Sequence, residues 1–293
     1  MKMRNDCLPC IARGSLDAAR LATEDEDLQR KVVKQVLKEL ITFDLNSPPP
    51  LMALVIARAV KEMTGVDDPY SRIKKKYNDF ALELFPLLEK KAMDASFDTA
   101  LRLCIAGNII DFGTHARVGR QKVLDTIDEA LVMEINGEGE AFEKACDNAD
   151  NILWIADNAG EIVFDRLLLQ KLDCRKITYV VRGGPAQNDA TLEDAEYAGL
   201  TGMVKVIDTG AAIPGVILEY CSERFRKAYE KADMIIAKGQ GNFETLDSLD
   251  SRIFFLFKAK CQVVADHAGC RLDDMVIKNS HQGFAGRKFG SCG

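Results

Sequence analysis

The chain has 293 residues, 47% of them hydrophobic, which is ample for a core in one large domain or in a small domain beside a larger one. Its formal net charge of −6 does not imply a strongly basic face and argues against nucleic acid as a main partner, yet leaves room for a locally positive site. No apolar run reaches the ~20 residues that span a bilayer. The start, Met1-Lys2-Met3-Arg4-Asn5-Asp6-Cys7, lacks the apolar centre of a signal peptide. A cytoplasmic protein with no membrane partner is expected. The nine cysteines agree: odd in number and mostly scattered through apolar segments, they make a poor disulfide framework and read as small buried hydrophobes.

The first half is patterned for helices. Apolar residues recur at helical spacing over residues 8–22 and again over 26–41, until Asn46-Ser47-Pro48-Pro49-Pro50 breaks the pattern. A third helix over about 51–64 should close at Gly65. Asp68-Pro69 reads as an N-cap and first helical residue opening a long helix to about Lys91. Further helices are expected over 97–107, 120–132 and 139–148. Lys74-Lys75-Lys76 reads as a solvated helix face.

From Asn151 the pattern changes. Short apolar runs at Asn151–Ala156, Lys176–Val181, Val204–Ile207 and Met234–Ala237 alternate with helical segments; Ile253–Leu256, Gln262–Ala265 and Met275–Ile277 are further candidate strands. Such alternation predicts βαβ units and a mostly parallel sheet with helices on both faces. The expected architecture is α/β: a Rossmann-like three-layer α/β/α domain over 149–293 beside an all-helical region over 1–148, part of which packs on the sheet.

Polar residues gather after the strands. Asp157-Asn158-Ala159-Gly160-Glu161 follows the first, Arg182-Gly183-Gly184-Pro185-Ala186-Gln187-Asn188-Asp189 the second, Asp208-Thr209-Gly210 the third and Lys238-Gly239-Gln240-Gly241-Asn242 the fourth. In open α/β sheets the carboxyl ends of strands form one ligand-binding edge, so these loops should converge. Asp157, Asn158 and Asp189 suit a hard divalent cation as oxygen ligands. Asp157 and Asn158 equally suit helix capping. Gly183, Gly184, Gly239 and Gly241 would let backbone amides approach an anion, and Lys238 sits where an ammonium could pair with phosphate. The same glycines also fit simple tight turns. Neither a P-loop nor a Gly-x-Gly-x-x-Gly fingerprint is present. Ala106–Gly113 could reach across to the sheet edge, or simply end a helix. Cys7-Leu8-Pro9-Cys10 lacks the further ligands of a closed zinc site and the preceding strand of a thioredoxin site, so two incidental thiols at a helix start are expected. His115, His267 and His281 are isolated, although His115 could line the site; Trp154 should be core.

Taken together, Cys7–Cys10, Ala106–Gly113, Asp157–Glu161, Arg182–Thr191, Asp208–Gly215 and Lys238–Leu246 resemble the damage-control phosphatases, and the Cys-x-x-Cys start resembles their archaeal and microbial branch. The resemblance implies a metal-dependent phosphatase acting on phosphate monoesters of small metabolites, such as sugar phosphates or damaged phosphometabolites. It implies Mn²⁺, Co²⁺, Ni²⁺ or Mg²⁺ on Asp157, Asn158 and Asp189. It places Lys238 on phosphate beside the catalytic Asp157 and Asp189, and Asn108 and Asp111 near the substrate. Arg182, Asn188 and the four glycines complete the expected phosphate-binding set. The nucleophile is either activated water or an aspartate. Rival readings are an S-adenosylmethionine-dependent methyltransferase on a Rossmann-like sheet and a non-catalytic metal or redox module built on Cys7 and Cys10.

Overall fold

A computed structural model describes residues 1–93, 95–109 and 120–280. The chain opens with helices α1 (Cys7–Ala22), α2 (Glu26–Thr42) and α3 (Met52–Thr64). Asp25 starts α2 by accepting the backbone N–H groups of Asp27 and Leu28, and α3 ends at Gly65 as expected. The facing stripes of the three helices, including Ile11, Ala18, Val32, Val36, Ile56 and Val60, close a small core of their own.

Four more helices follow: α4 (Ser71–Met93), α5 (Phe97–Ile109), α6 (Arg120–Val132) and α7 (Gly139–Asn148). Asp68 accepts a bond from the Tyr70 amide at 2.9 Å, so the turn before α4 forms where expected, with the first helical residue at Ser71. Tyr77, Leu84 and Leu88 of α4, Leu101 and Ile105 of α5, and Val123 and Ile127 of α6 share one core with the sheet residues Trp154 and Tyr179. The hydrophobic cores therefore divide between α3 and α4, well before residue 148.

Among the described residues the sheet has seven strands: β1 (Ile135–Gly137), β2 (Ile152–Ile155), β3 (Ile177–Val181), β4 (Lys205–Asp208), β5 (Met234–Lys238), β6 (Ile253–Lys258) and β7 (Met275–Asn279). Their order is β1-β7-β6-β5-β2-β3-β4. β6, β5, β2, β3 and β4 run parallel, β7 is antiparallel to β6, and β1 pairs parallel with β7. The helices between these strands are α8 (Glu161–Leu169), α9 (Leu192–Tyr197), α10 (Glu223–Lys231), α11 (Gly239–Leu246) and α12 (Gln262–Ala268). Side chains alternate across the sheet: Trp154 and Tyr179 face the layer with α4, α5 and α8, whereas Leu153, Ile155 and Val180 face α10, α11 and α12. The three-layer α/β/α expectation is met.

Two local expectations are corrected. Gln262–Ala265, read as a strand, is the first turn of α12; Ala265 donates to the Cys261 carbonyl in a helical bond of 3.0 Å, and only Val264 and Ala265 of that run are buried. A four-residue apolar run does not distinguish strand from helix by period. The short strand β1 carries no apolar run and escaped notice. Among the described residues no helix is long and apolar enough to cross a membrane.

Candidate active site

The strand order reverses between β2 and β5: β3 and β4 lie on one side and β6 on the other. A crevice at such a reversal, at the carboxyl ends of the strands, is where open α/β sheets bind ligands. The loops after β2 and β5 meet there. Gly239 carries φ of 77°, and a Cβ on it would lie 2.7 Å from Asp157 Oδ1 and closer still to Oδ2 and Cγ. Only glycine lets the Asp157 carboxylate rest against this turn.

The β2 and β3 loops are zipped together. Ala159 N donates to Asn188 O (2.9 Å), Ala190 N to Asp157 O (2.8 Å) and Arg182 N to Ala190 O (2.8 Å), so Asn158 and Asp189 stand opposite each other. Arg182 Nε donates to Asp189 Oδ2 at 2.6 Å, and its Nη2 bonds the Ala156 carbonyl and Asn242 Oδ1, each at 3.2 Å. Its Nη1 is buried with no hydrogen-bond partner.

Asn108, in the last turn of α5, crosses to this edge as one of the two sequence readings allowed. Its Nδ2 donates to Asp157 Oδ2 (2.9 Å) and Glu161 Oε2 (2.8 Å), while its Oδ1 accepts from the Lys258 amide (3.2 Å). Asn158 Nδ2 also donates to Asp157 Oδ2, at 2.6 Å. Asp111, His115 and His281 lie outside the described residues.

Lys238 departs from the phosphate-facing placement expected of it. Its side chain turns inward and is wholly buried, donating to Asp165 Oδ1 and to the Cys104 carbonyl (3.2 Å) and pairing with Glu161 Oε1 (2.9 Å). Gly183 also differs from expectation: its amide donates to the Ala211 carbonyl (2.9 Å), and a Cβ there would meet the Gly210 backbone at 2.5 Å. This glycine serves close packing of two loops.

Four carboxylates (Asp157, Glu161, Asp165 and Asp189) and two cations (Arg182 and Lys238) are buried together here, two more acids than bases. The electrostatics reflect the surplus. Burial, together with the nearby Asp189 and Glu161, pushes the Asp157 carboxyl well above the usual range. Burial also raises Asp189, although Arg182 opposes it. Burial works against ionisation of Glu161 too, but Lys238 and the Asn108 amide hold it below its ordinary value. Among the described residues no three Asp, Glu, His or Cys side chains converge as a ready-made cage. The set nonetheless fits a hard divalent cation: Asp157 and Asp189 offer carboxylate oxygens and Asn158 an amide oxygen, in a cluster with more acids than bases.

Several residues that position this edge were missed by sequence reasoning. Lys74, expected on a solvated face, is buried and pairs with Asp194 Oδ2 at 2.8 Å. Asn78, one turn later, donates to Asp194 Oδ1 (2.8 Å) and accepts from the Gly160 amide (2.7 Å), which fixes the start of α8. Glu161 and Asp165 carried a legible signal, since they are acids four residues apart in a helix that is apolar but for them and Arg166, a pattern that places both on one face. A cleft of 780 Å³ opens beside Arg182, the partner of Asp189, and is lined in part by Arg72, Lys75, Gly184, Thr191 and Asp208. Elsewhere Cys7 and Cys10 lie in the first turn of α1; of the eight described cysteines only Cys104, Cys146 and Cys221 are buried, fewer than expected. His267 bonds Asp247 at 2.8 Å, and Trp154 is core.

Residues 3–276 match the family model of the damage-control phosphatase ARMT1-like domain. A damage-control phosphatase of Pyrococcus horikoshii is 39% identical over 274 residues, covering 90% of this chain and 93% of its own. A damage-control phosphatase of Archaeoglobus fulgidus is 35% identical over 289 residues, covering 95% and 99%. A crystal structure of a DUF89 family protein from Pyrococcus horikoshii superposes with a TM-score of 0.86 at 36% identity, covering 96% of this chain and 99% of that one.

Proposed function

The chain belongs to the ARMT1-like damage-control phosphatase family and is a phosphatase; from that premise we propose that it hydrolyses phosphate monoesters of small metabolites, sugar phosphates or damaged phosphometabolites among them, with a divalent cation held by Asp157, Asn158 and Asp189. The observation that supports the metal is the excess of buried acids over buried bases at the strand reversal, whose ionisation burial disfavours in the absence of a further cation. Mn²⁺, Co²⁺, Ni²⁺ and Mg²⁺ all suit oxygen donors of this kind. Bound there, such an ion would polarise the phosphoryl oxygens and offset the charge that develops on them.

The chain's own residues prepare that chemistry. Asn108 and Asn158 both grip Asp157 Oδ2 and so fix the carboxylate's direction. Arg182 does the same for Asp189 and keeps Nη1 as a buried donor for a phosphate oxygen. Backbone at Gly184, Asn188, Gly239 and Gly241 would line the phosphate's approach, and the cleft beside Arg182 would take the rest of a small substrate. A cytoplasmic location and small-molecule partners accord with this reading.

Family membership does not favour the methyltransferase alternative, and β2 runs into an Asp-Asn turn where a glycine-rich cofactor loop would stand. The test is hydrolysis of p-nitrophenyl phosphate by chelator-stripped protein, titrated with each of the four metals, beside Asp157→Ala and Asp189→Ala. Activity should return with metal in the wild type and stay absent in both variants. Metal-independent turnover, or full activity in either variant, would refute the proposal.

A further inference from the structure

Lys238 Nζ donates to the Asp165 carboxylate and the Cys104 carbonyl and forms an ion pair with the Glu161 carboxylate, all with its side chain wholly buried. Two buried carboxylates thus already pair the ammonium, and it has no exposed surface to offer a phosphate oxygen. Asp165 is equally engaged. Besides Lys238 it accepts from Trp154 Nε1 of β2 (3.2 Å), Tyr179 Oη of β3 (2.6 Å) and Cys104 Sγ of α5 (3.1 Å). One fully buried carboxylate thus ties α8 to two strands, to α5 and to the lysine at the end of β5.

Glu161 lies one helical turn before Asp165. Its Oε1 meets Lys238 at 2.9 Å, and its Oε2 accepts from Asn108 (2.8 Å) and from Asn158 (3.2 Å). Those two amides are the ones that hold Asp157 Oδ2. A continuous chain of contacts therefore runs from Asp165 through Lys238 and Glu161 to the two asparagines and ends at Asp157. Disturbing the buried end of such a network moves the reacting end without touching substrate.

We propose that Lys238 and Asp165 form a buried positioning pair that holds Glu161, and through it Asn108 and Asn158, against Asp157, and that Lys238 does not contact the substrate's phosphate. This inference deepens the proposed function and rests on it only for its kinetic readout.

The first arm reads the lysine directly in the wild-type protein. In ¹⁵N-labelled enzyme at low temperature, a wholly buried ammonium paired with two carboxylates exchanges slowly and gives a lysine ¹⁵N–¹H correlation, assigned by its loss in Lys238→Arg. That signal should be present and, in enzyme already saturated with Mg²⁺, unmoved by inorganic phosphate. Its absence, or its shift on adding phosphate, would overturn the proposal. The second arm is Asp165→Asn, checked for folding by near-ultraviolet circular dichroism. Its kcat should fall about 10–100-fold, while KM for p-nitrophenyl phosphate and Ki for inorganic phosphate stay within about twofold. A folded Asp165→Asn with wild-type kcat, or one whose loss lies in KM and phosphate Ki, would also overturn it. If the wild type shows no hydrolysis, the proposed function fails on its own, and the ammonium signal still decides whether Lys238 is sealed from phosphate.

Discussion

Gly239→Ala tests the site's geometry at its tightest point. Two effects follow from the structure. The backbone at this position has φ of 77°, and an L-residue in that region costs about 1–2 kcal/mol. The new methyl would also sit 2.7 Å from Asp157 Oδ1 and nearer still to Oδ2 and Cγ. The carboxylate would have to back away by more than about 1 Å, a displacement of the order that costs about 100-fold in rate when it misplaces a reacting group. It has little freedom to do so, because Asn108 and Asn158 both hold Oδ2. Urea unfolding should therefore show a loss of about 1–3 kcal/mol, and kcat/KM for p-nitrophenyl phosphate should fall about 100-fold with saturating Mn²⁺. Gly241→Ala is the stability control. A Cβ there meets nothing closer than 3.6 Å, and alanine in a helix gains about 0.5–1 kcal/mol over glycine. If Gly239→Ala kept wild-type stability and kcat/KM, the contact between this turn and Asp157 would not matter, and the reasoning would fail.

Asp157→Asn removes a carboxylate that burial and its neighbours Asp189 and Glu161 disfavour in ionised form. A carboxyl raised in the folded state contributes stability at low pH that is lost as pH rises, so at pH 8 the metal-free variant should melt above the metal-free wild type yet lose the rise in Tm that Mn²⁺ gives the wild type. An equal Mn²⁺ shift in both would contradict the site. Lys74→Met should destabilise by about 3–5 kcal/mol in urea, since it leaves Asp194 buried and unpaired; a loss of less than about 1 kcal/mol would place Lys74 on the solvated face that the sequence suggests. Glu244 is pushed up from 4.5 to about 7 by burial, with the N-terminal amine and Gln240 opposing. The native state then holds its proton where the unfolded chain has lost it, so stability is full below pH 4.5 and declines through pH 7. Glu244→Gln should flatten that decline and gain up to about 3 kcal/mol over the wild type at pH 8. Parallel pH–stability curves for the two proteins would rule this out.

The sheet and the position of its ligand edge were legible because β-branched runs are local signals and because Asp157, Asn158, Arg182, Asp189 and Lys238 all follow such runs at once. What was not legible was direction. Lys238 lies at a strand end, but whether its side chain turns out toward a ligand or in toward Asp165 depends on α8 packing over β5, a long-range contact that spacing does not encode. Lys74 illustrates the same limit on a helix: three adjacent lysines share no face, and only the docking of α4 against Asp194 decides which one is buried. Gln262–Ala265 failed for a different reason, being too short for its period to separate strand from helix.

The central claim is that the buried acids at the β2–β5 reversal receive a divalent cation. Anomalous diffraction from crystals soaked in Mn²⁺ addresses it directly. The account predicts a single strong manganese peak within coordination distance of Asp157, Asn158 and Asp189. A map with no peak there, or with manganese only elsewhere on the molecule, would contradict it.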